Sequence, residues 1–303
     1  VKYTCGKNCT PQILENNRKG LGYDKPFAVQ WVDFAKGIVL GREFPDDPAL
    51  KAAAPNLIAR CDAPCLGYSP LSSANVSTVL MKKAPVSASL AIGAFVMWMV
   101  VGVTAGVIAA LRKGTLLDRG LVGTTLIFYA FPTFFNGLFI YNYFALKWQL
   151  VPVPAYTPPT ESVALWLQGL FLPCLTLALF YIAGYVRLTR AFVLESLSED
   201  YLRTARAKGL APRKILLKHT MRAALTPLAT IAGLDLGGLL GGAIITEQVF
   251  NYDGLGKLAV QSATTYDLPI TVGIVVLLAS FIIVANIVVD VLYAFIDPRV
   301  KYA

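Results

Sequence analysis

Few side chains in this 303-residue chain can hold a metal, a phosphate or a proton, and most of them stand alone. Four of the five cysteines fall in the first 65 residues as two C-x3-C pairs, Cys5 with Cys9 and Cys61 with Cys65. Such pairs can bind zinc, but zinc sites favour tighter spacings and reducing compartments. In an oxidising compartment they read as disulfides, closed within each pair or crossed between the pairs. No metal site is expected. The single histidine, His219, lies among lysines and arginines and reads as a solvated or interface group rather than a base. Gly254-Leu-Gly-Lys257 lacks the first glycine and the hydroxyl residue of a P-loop, so the chain has no means of cradling a nucleoside triphosphate by itself. Neither G-x-S-x-G nor H-E-x-x-H occurs. The remaining candidates are acids in apolar surroundings: Asp235, Glu247 and Asp290.

The densest charge is not catalytic in type. "YLRTARAKGLAPRKILLKH", Tyr201 to His219, holds six Lys or Arg and no acid. Upstream, Phe192, Leu197, Tyr201 and Leu202 recur at helical spacing. Ser198 is a candidate cap, with Glu199 and Asp200 in the first turn. Gly209 is a natural stop and Pro212 suits the first turn of a new helix. The segment therefore predicts a short helix, a sharp break and a second helix. Topology and attraction to anionic lipid head groups account for the charge alone. They do not account for the order, and an element rigidly joined to a span can transmit a push.

These residues must be positioned by membrane helices. The chain is 56% hydrophobic and only 15% charged, with mean hydropathy +0.59. Five stretches are nearly free of charge: 86–111, 121–146, 163–186, 223–250 and 270–296. Each exceeds the roughly 20 residues that cross a bilayer as helix, and their continuous apolarity excludes a barrel. The expected fold is an all-α integral membrane protein with five transmembrane helices. The net charge of +9 does not point to nucleic acid, because of where it falls. With five spans, residues 112–120, 187–222 and the tail from Asp297 share one side and hold 14 basic residues; the short opposite loops hold Lys147 and Lys257. The basic side is then cytoplasmic. Residues 1–83 are expected to form an extracytoplasmic region carrying the Cys pairs, and 84–303 a transmembrane domain that includes the loop 187–222. The chain begins at Val1 without a signal peptide, so a preceding span is expected.

Within this frame, "YDKPFAVQWVDFAKGIVLG" reads as an amphipathic helix with Phe27, Trp31, Phe34, Ala35 and Ile38 near one stripe. "NLIARCDAPCLGYSPLSS" reads as loop. Gly102 and Gly106 form a G-x-x-x-G. Pro132, Pro173 and Pro227 are expected to interrupt their spans. In the fourth span Gly233, Gly237, Gly238, Gly241 and Gly242 make a thin rod around Asp235. A carboxylate there costs about 2.5–3.5 kcal/mol to insert. Asp235, with Gly237, Gly238 and Gly241, lines a translocation path, or Asp235 makes a helix–helix hydrogen bond; both readings stand. Asp290 reads as structural, paired with the basic tail.

"YLRTARAKGLAPRKILLKHTMRAALTPL" resembles the cytoplasmic EAA-type loop of ABC importer permeases of the dipeptide/oligopeptide/nickel family. "GLGYDKPFAVQWVDFAKGIVLG", "RKGTLLDRG", "FPTFF", "TEQVFNYDGLGKLAVQSATTYDLPI" and "DVLYAFIDPRVKY" resemble other parts of the same family, so the likeness runs from Gly20 to Tyr302. The resemblance implies a six-span permease, of which five are visible, on the bacterial plasma membrane. It implies that Tyr201, Arg203, Thr204, Ala205, Arg206, Ala207, Lys208 and Gly209 form a cytoplasmic coupling helix docked in an ATPase. Arg203, Thr204 and Ala205 occupy the places of Glu-Ala-Ala in other importers, and the insert with Cys61 and Cys65 is longer than usual. The implied partners are a second permease, two ATP-binding subunits that hold ATP and magnesium, an extracytoplasmic solute-binding protein and membrane lipids. Cargo would be di- or oligopeptides, with nickel, haem or another small solute as the alternative. A stand-alone secondary transporter or channel, or a membrane-anchored receptor subunit, is the reading from a different class.

Overall fold

The computed structural model describes residues 10–53 and 55–296. Cys5 and Cys9 and the tail from Asp297 lie outside the described residues, as do the side chains of Gly241 and Asp290. The chain divides into two compact units: residues up to Ser87 together with Asp253–Ser280, and Ala88–Tyr252 together with the segment from Phe281.

The first unit starts with α1 (Pro11–Gly20), whose first turn is capped by the Thr10 hydroxyl, which accepts from Ile13 N–H, and α2 (Phe27–Leu40). Gly41 ends α2 at φ +78°, with a Cβ there falling 2.8 Å from the Cys61 carbonyl, so only glycine serves. β1 (Arg42–Phe44) follows, then α3 (Pro48–Ala53) and β2 (Ala59–Cys61), which pairs antiparallel with β1 in the register Glu43 opposite Arg60. β3 (Tyr68–Ser69) and β4 (Ala74–Asn75) form a second ribbon. The expected all-α class is thus corrected by two small ribbons in a mostly helical chain; β2 and β3 lie inside the stretch read as loop, β1 and β4 outside it. Their strands are two or three residues long, too short for alternation to register in a sequence. The stripe on α2 also divides: Phe34, Ala35 and Ile38 are half-buried, whereas Phe27 and Trp31 are exposed.

The core of this unit gathers Val76 and Leu80 of α4 (Val76–Leu111), Leu255 and Leu258 of α11 (Leu255–Thr265), and Ile270 and Ile274 of α12 (Leu268–Ile296). Ser87 Oγ accepts from Leu255 N–H at 2.8 Å, and Lys83 pairs with Asp253. Asp267 caps α12 by accepting from Ile270 N–H and takes a bond from the Ser69 hydroxyl. Lys25 bridges Asp33 at 3.0 Å and Asp46 at 2.6 Å, and Arg42 reaches Asp46 at 3.1 Å. Burial acts to raise the Asp46 carboxyl, but Lys25 and Arg42 outweigh it and hold the group below the usual carboxylate value. A depressed carboxyl stabilises the fold above its unfolded pKa, and that contribution is lost as pH falls through the folded value. Amide protection across residues 20–50, taken relative to the intrinsic exchange rate at each pH, is therefore expected to fall below about pH 4, and Asp46→Asn to remove that pH step; an unchanged step in the variant would show that other groups set it.

The second unit is helical. α5 (Leu116–Ala130) and α6 (Thr133–Ile140, continued by a π-helical run Tyr141–Lys147) meet at 101°. Pro132 stands at this break, as expected. Pro173, by contrast, sits inside the unbroken 36-residue α7 (Val163–Ser198). Among the described residues, three helices are long and apolar enough to cross a membrane, or up to five if each bent pair is one span. α4 and α7 pack through glycine: a Cβ on Gly102 would lie 2.8 Å from Tyr185 Cβ, and one on Gly106 2.6 Å from Thr189 Cβ and 2.8 Å from the Val186 carbonyl. The G-x-x-x-G therefore allows close approach. Gly106→Leu has no rotamer that avoids the α7 backbone. It is expected to cost at least about 1–3 kcal/mol by overpacking, read as a lower melting temperature of the purified protein; an unshifted melt would refute the close contact.

Candidate functional site

The basic segment is built on a firm base. After Ser198, Glu199 turns extended (φ −66°, ψ 141°) and α8 (Asp200–Ala207) begins. The expected cap at Ser198 is corrected: its hydroxyl donates back to the Glu195 carbonyl within α7, and Glu199 takes the cap position without a side-chain bond. Tertiary packing extends α7 this far, because Val193 meets Ala110 and Ala224 in a buried cluster. α8 then buries Leu202 and Ala205 against Ile215, with Leu197 and Leu210 packed around them. The opposite face exposes Tyr201, Arg203, Thr204, Arg206, Ala207 and Lys208.

The end of α8 is a Schellman turn. Gly209 N–H donates to the Arg206 carbonyl at 2.9 Å and Leu210 N–H to the Ala205 carbonyl at 3.3 Å. Gly209 stands at φ +74°, and no atom lies within 4 Å of where its Cβ would be. Backbone conformation, not crowding, requires glycine here. Pro212 opens α9 (Pro212–Lys214), which runs through a π-helical turn, Ile215–Thr220, into α10 (Met221–Phe250). The helix–Gly–Pro–helix order read from the sequence is thus present, and Pro227 lies inside α10 without ending it. α10 bends by 51° between Leu239 and Ala243 instead.

Of the eight residues singled out from Tyr201 to Gly209, seven share the exposed side and Ala205 faces inward. Leu202, fully buried, was passed over as a site residue; its signal is the apolar i, i+3 pair with Ala205 between charges. Next to this segment, Arg190 of α7 grips Asp118 of α5 with two bonds, 2.7 and 2.9 Å. Asp118 also accepts from Gly114 N–H at 2.9 Å, and Thr115 caps α5.

The second candidate group separates. Asp235 is half-buried and accepts a 2.7 Å bond from the Tyr185 hydroxyl, so the helix–helix hydrogen bond exists. Gly237 is buried with its would-be Cβ 3.5 Å from Ala285 Cβ, a packing position on α12. Gly238 is exposed with open space around it. Glu247 is buried in the last turns of α10. Cys61 and Cys65 form a disulfide, and Cys174 is reduced and buried. Among the described residues, no three His, Cys, Asp or Glu side chains gather as a metal site.

The chain as a whole is similar to known proteins. Residues 102–302 match the family model "binding-protein-dependent transport system inner membrane component", and residues 1–91 match the corresponding N-terminal model. A probable peptide ABC transporter permease of Sinorhizobium fredii is 34% identical over 98% of this chain and 88% of its own length. The dipeptide transport permease DppB of Escherichia coli K12 is 31% identical over 93% of this chain and 83% of its own. Among solved structures, a chain of the MetNI methionine ABC transporter in inward-facing conformations shares the fold at TM-score 0.57 and 17% identity, covering 73% of this chain and 97% of that one. By these matches the chain belongs to the binding-protein-dependent transport system inner membrane component family, the permease subunits of ABC importers.

Proposed function

We propose that the chain forms, with a second permease subunit, the path by which di- or oligopeptides cross the bacterial plasma membrane. Peptide cargo rests on the names of its relatives. Two ATP-binding subunits supply the work by hydrolysing ATP with magnesium, and an extracytoplasmic solute-binding protein delivers cargo. The distribution of basic residues supports a cytoplasmic 187–222 and an outer region 1–83, where the Cys61–Cys65 disulfide is chemically at home. The observation that carries the reading is α8: an exposed cationic face locked to the spans by Leu202, Ala205, Ile215 and the Gly209 turn. A partner cleft that grips α8 moves α7 and α10 with it. ATP closes the ATPase pair, the spans turn outward to receive cargo, and hydrolysis returns them. Asp235 and Gly238 line the path in this reading.

Reversing both Arg203 and Arg206 to Glu tests the docking. Arg203 is paired only with Asp200, at 3.4 Å in full solvent exposure, so the fold should lose less than about 0.5 kcal/mol. Uptake of a labelled tripeptide by proteoliposomes holding the full complex is expected to fall at least tenfold, with the ATPases washing away at moderate salt. Undiminished uptake would remove the docking assignment.

A further inference from the structure

The carboxylate of Asp235 is not used by the mechanics of α8. It stands in α10 within an apolar segment, and Tyr185 holds only one of its oxygens, Oδ2. Among the described residues no Lys, Arg or His comes within ion-pair distance of it. Behind the Tyr185 hydroxyl lies an aromatic cluster: the Trp98 ring is 6.0 Å from that of Tyr185 and stacks on Tyr181 at 4.3 Å. On the same face of α10, Leu234 and Gly238 are exposed, and no atom approaches within 4 Å of a Gly238 Cβ. The carboxylate is therefore oriented, reachable and without a built-in countercharge.

A carboxylate among apolar helices is favoured by a cation beside it. Where the described residues supply none, a cation that comes and goes can fill the role. A lone carboxylate with no imidazole or thiolate beside it among the described residues is a poor transition-metal site, whereas a carboxylate oriented by a tyrosine hydroxyl suits an organic ammonium as a hydrogen-bonded ion pair. We infer that Asp235, with Tyr185, is a subsite for the α-ammonium of a peptide in transit. This rests on the peptide-import reading above. Tyr185 fixes Oδ2 of the carboxylate, and a single ion pair holds cargo weakly enough to release it.

The test uses the assembled transporter, both permeases and both ATPases, in nanodiscs without the binding protein. Equilibrium binding of labelled tri-alanine is compared with that of its N-acetyl form. Wild type is expected to hold tri-alanine at least tenfold more tightly. Asp235→Asn should lose that preference, Asp235→Glu should keep it, and Tyr185→Phe should reduce it. Equal binding of both peptides by wild type, or an undiminished preference in Asp235→Asn, overturns the subsite. Should Asp235→Asn fail to assemble, methylammonium is titrated against bound tri-alanine on wild type, with acetamide as the neutral control. Displacement by methylammonium alone supports the site, and equal action or inaction of the two probes overturns it. ATP-driven uptake of tri-alanine with the binding protein present is measured in parallel. No uptake by wild type would sink the peptide reading itself, whereas normal uptake with an unaltered preference in Asp235→Asn sinks only the subsite.

Discussion

Gly209→Val is expected to leave an assembled complex that hydrolyses ATP but imports at most a tenth as much peptide as wild type. The cause is conformational. Gly209 closes α8 at φ +74°, a backbone region that costs an L-residue about 1–2 kcal/mol and a β-branched one more. Valine would escape by abandoning the left-handed turn. The bonds from Gly209 N–H to Arg206 and from Leu210 N–H to Ala205 would go with it, and Leu210 would leave the cluster under α8. The knob would remain, but as a floppy one that absorbs the partner's motion instead of passing it to α7 and α10. Crowding cannot produce the effect, because no atom lies within 4 Å of the position the new Cβ would take. Gly209→Asn separates the causes, since Asn tolerates the left-handed region. Import by the Asn variant near wild-type level, with Val defective, supports a backbone origin. Equal loss in both would mean instead that a partner surface needs the open space beside Gly209.

Much of this was readable from residue order because the physics is local. A glycine followed by a proline three residues later ends one helix and starts another whatever surrounds them. Continuous apolarity locates spans, and Pro132 locates a 101° break. What was not readable depends on neighbours. Ser198 looks like a cap, yet α7 runs to it because Val193 is buried between α4 and α10. Pro173 looks like a breaker, yet the surrounding helices hold α7 continuous across it. The π-helical turns at 141–147 and 215–220 have no composition of their own. Gly237 and Gly238 are adjacent and identical in type, but one packs on α12 and the other faces open space, a difference that only the rotation of α10 decides. Cys61 and Cys65 could have paired elsewhere by sequence; Cys61 is held at the end of β2 opposite Arg42, and Cys65 N–H donates to the Gly37 carbonyl at 3.2 Å, so packing on neighbouring segments fixes both ends of the short loop.

Arg190→Ala should be the most damaging single change to the stability of the helical unit. Asp118 is only 4% exposed and receives both guanidinium bonds together with Gly114 N–H. Removing the arginine leaves that carboxylate with one backbone donor and no countercharge, so the variant is expected to melt below wild type. Arg190 itself is partly exposed, and water reaching the site moderates the loss. The double variant Arg190→Leu with Asp118→Leu removes both charges and should recover much of the loss, because the penalty is the orphaned charge rather than the missing attraction. Melting temperature in detergent reads all three proteins. The pair also ties the turn before α5 to α7 two turns ahead of α8, so the single variant should loosen that turn first. Faster amide exchange at Gly114 and Thr115 than at Leu202 would show this order; a melt within a degree of wild type would show that the clamp bears no load.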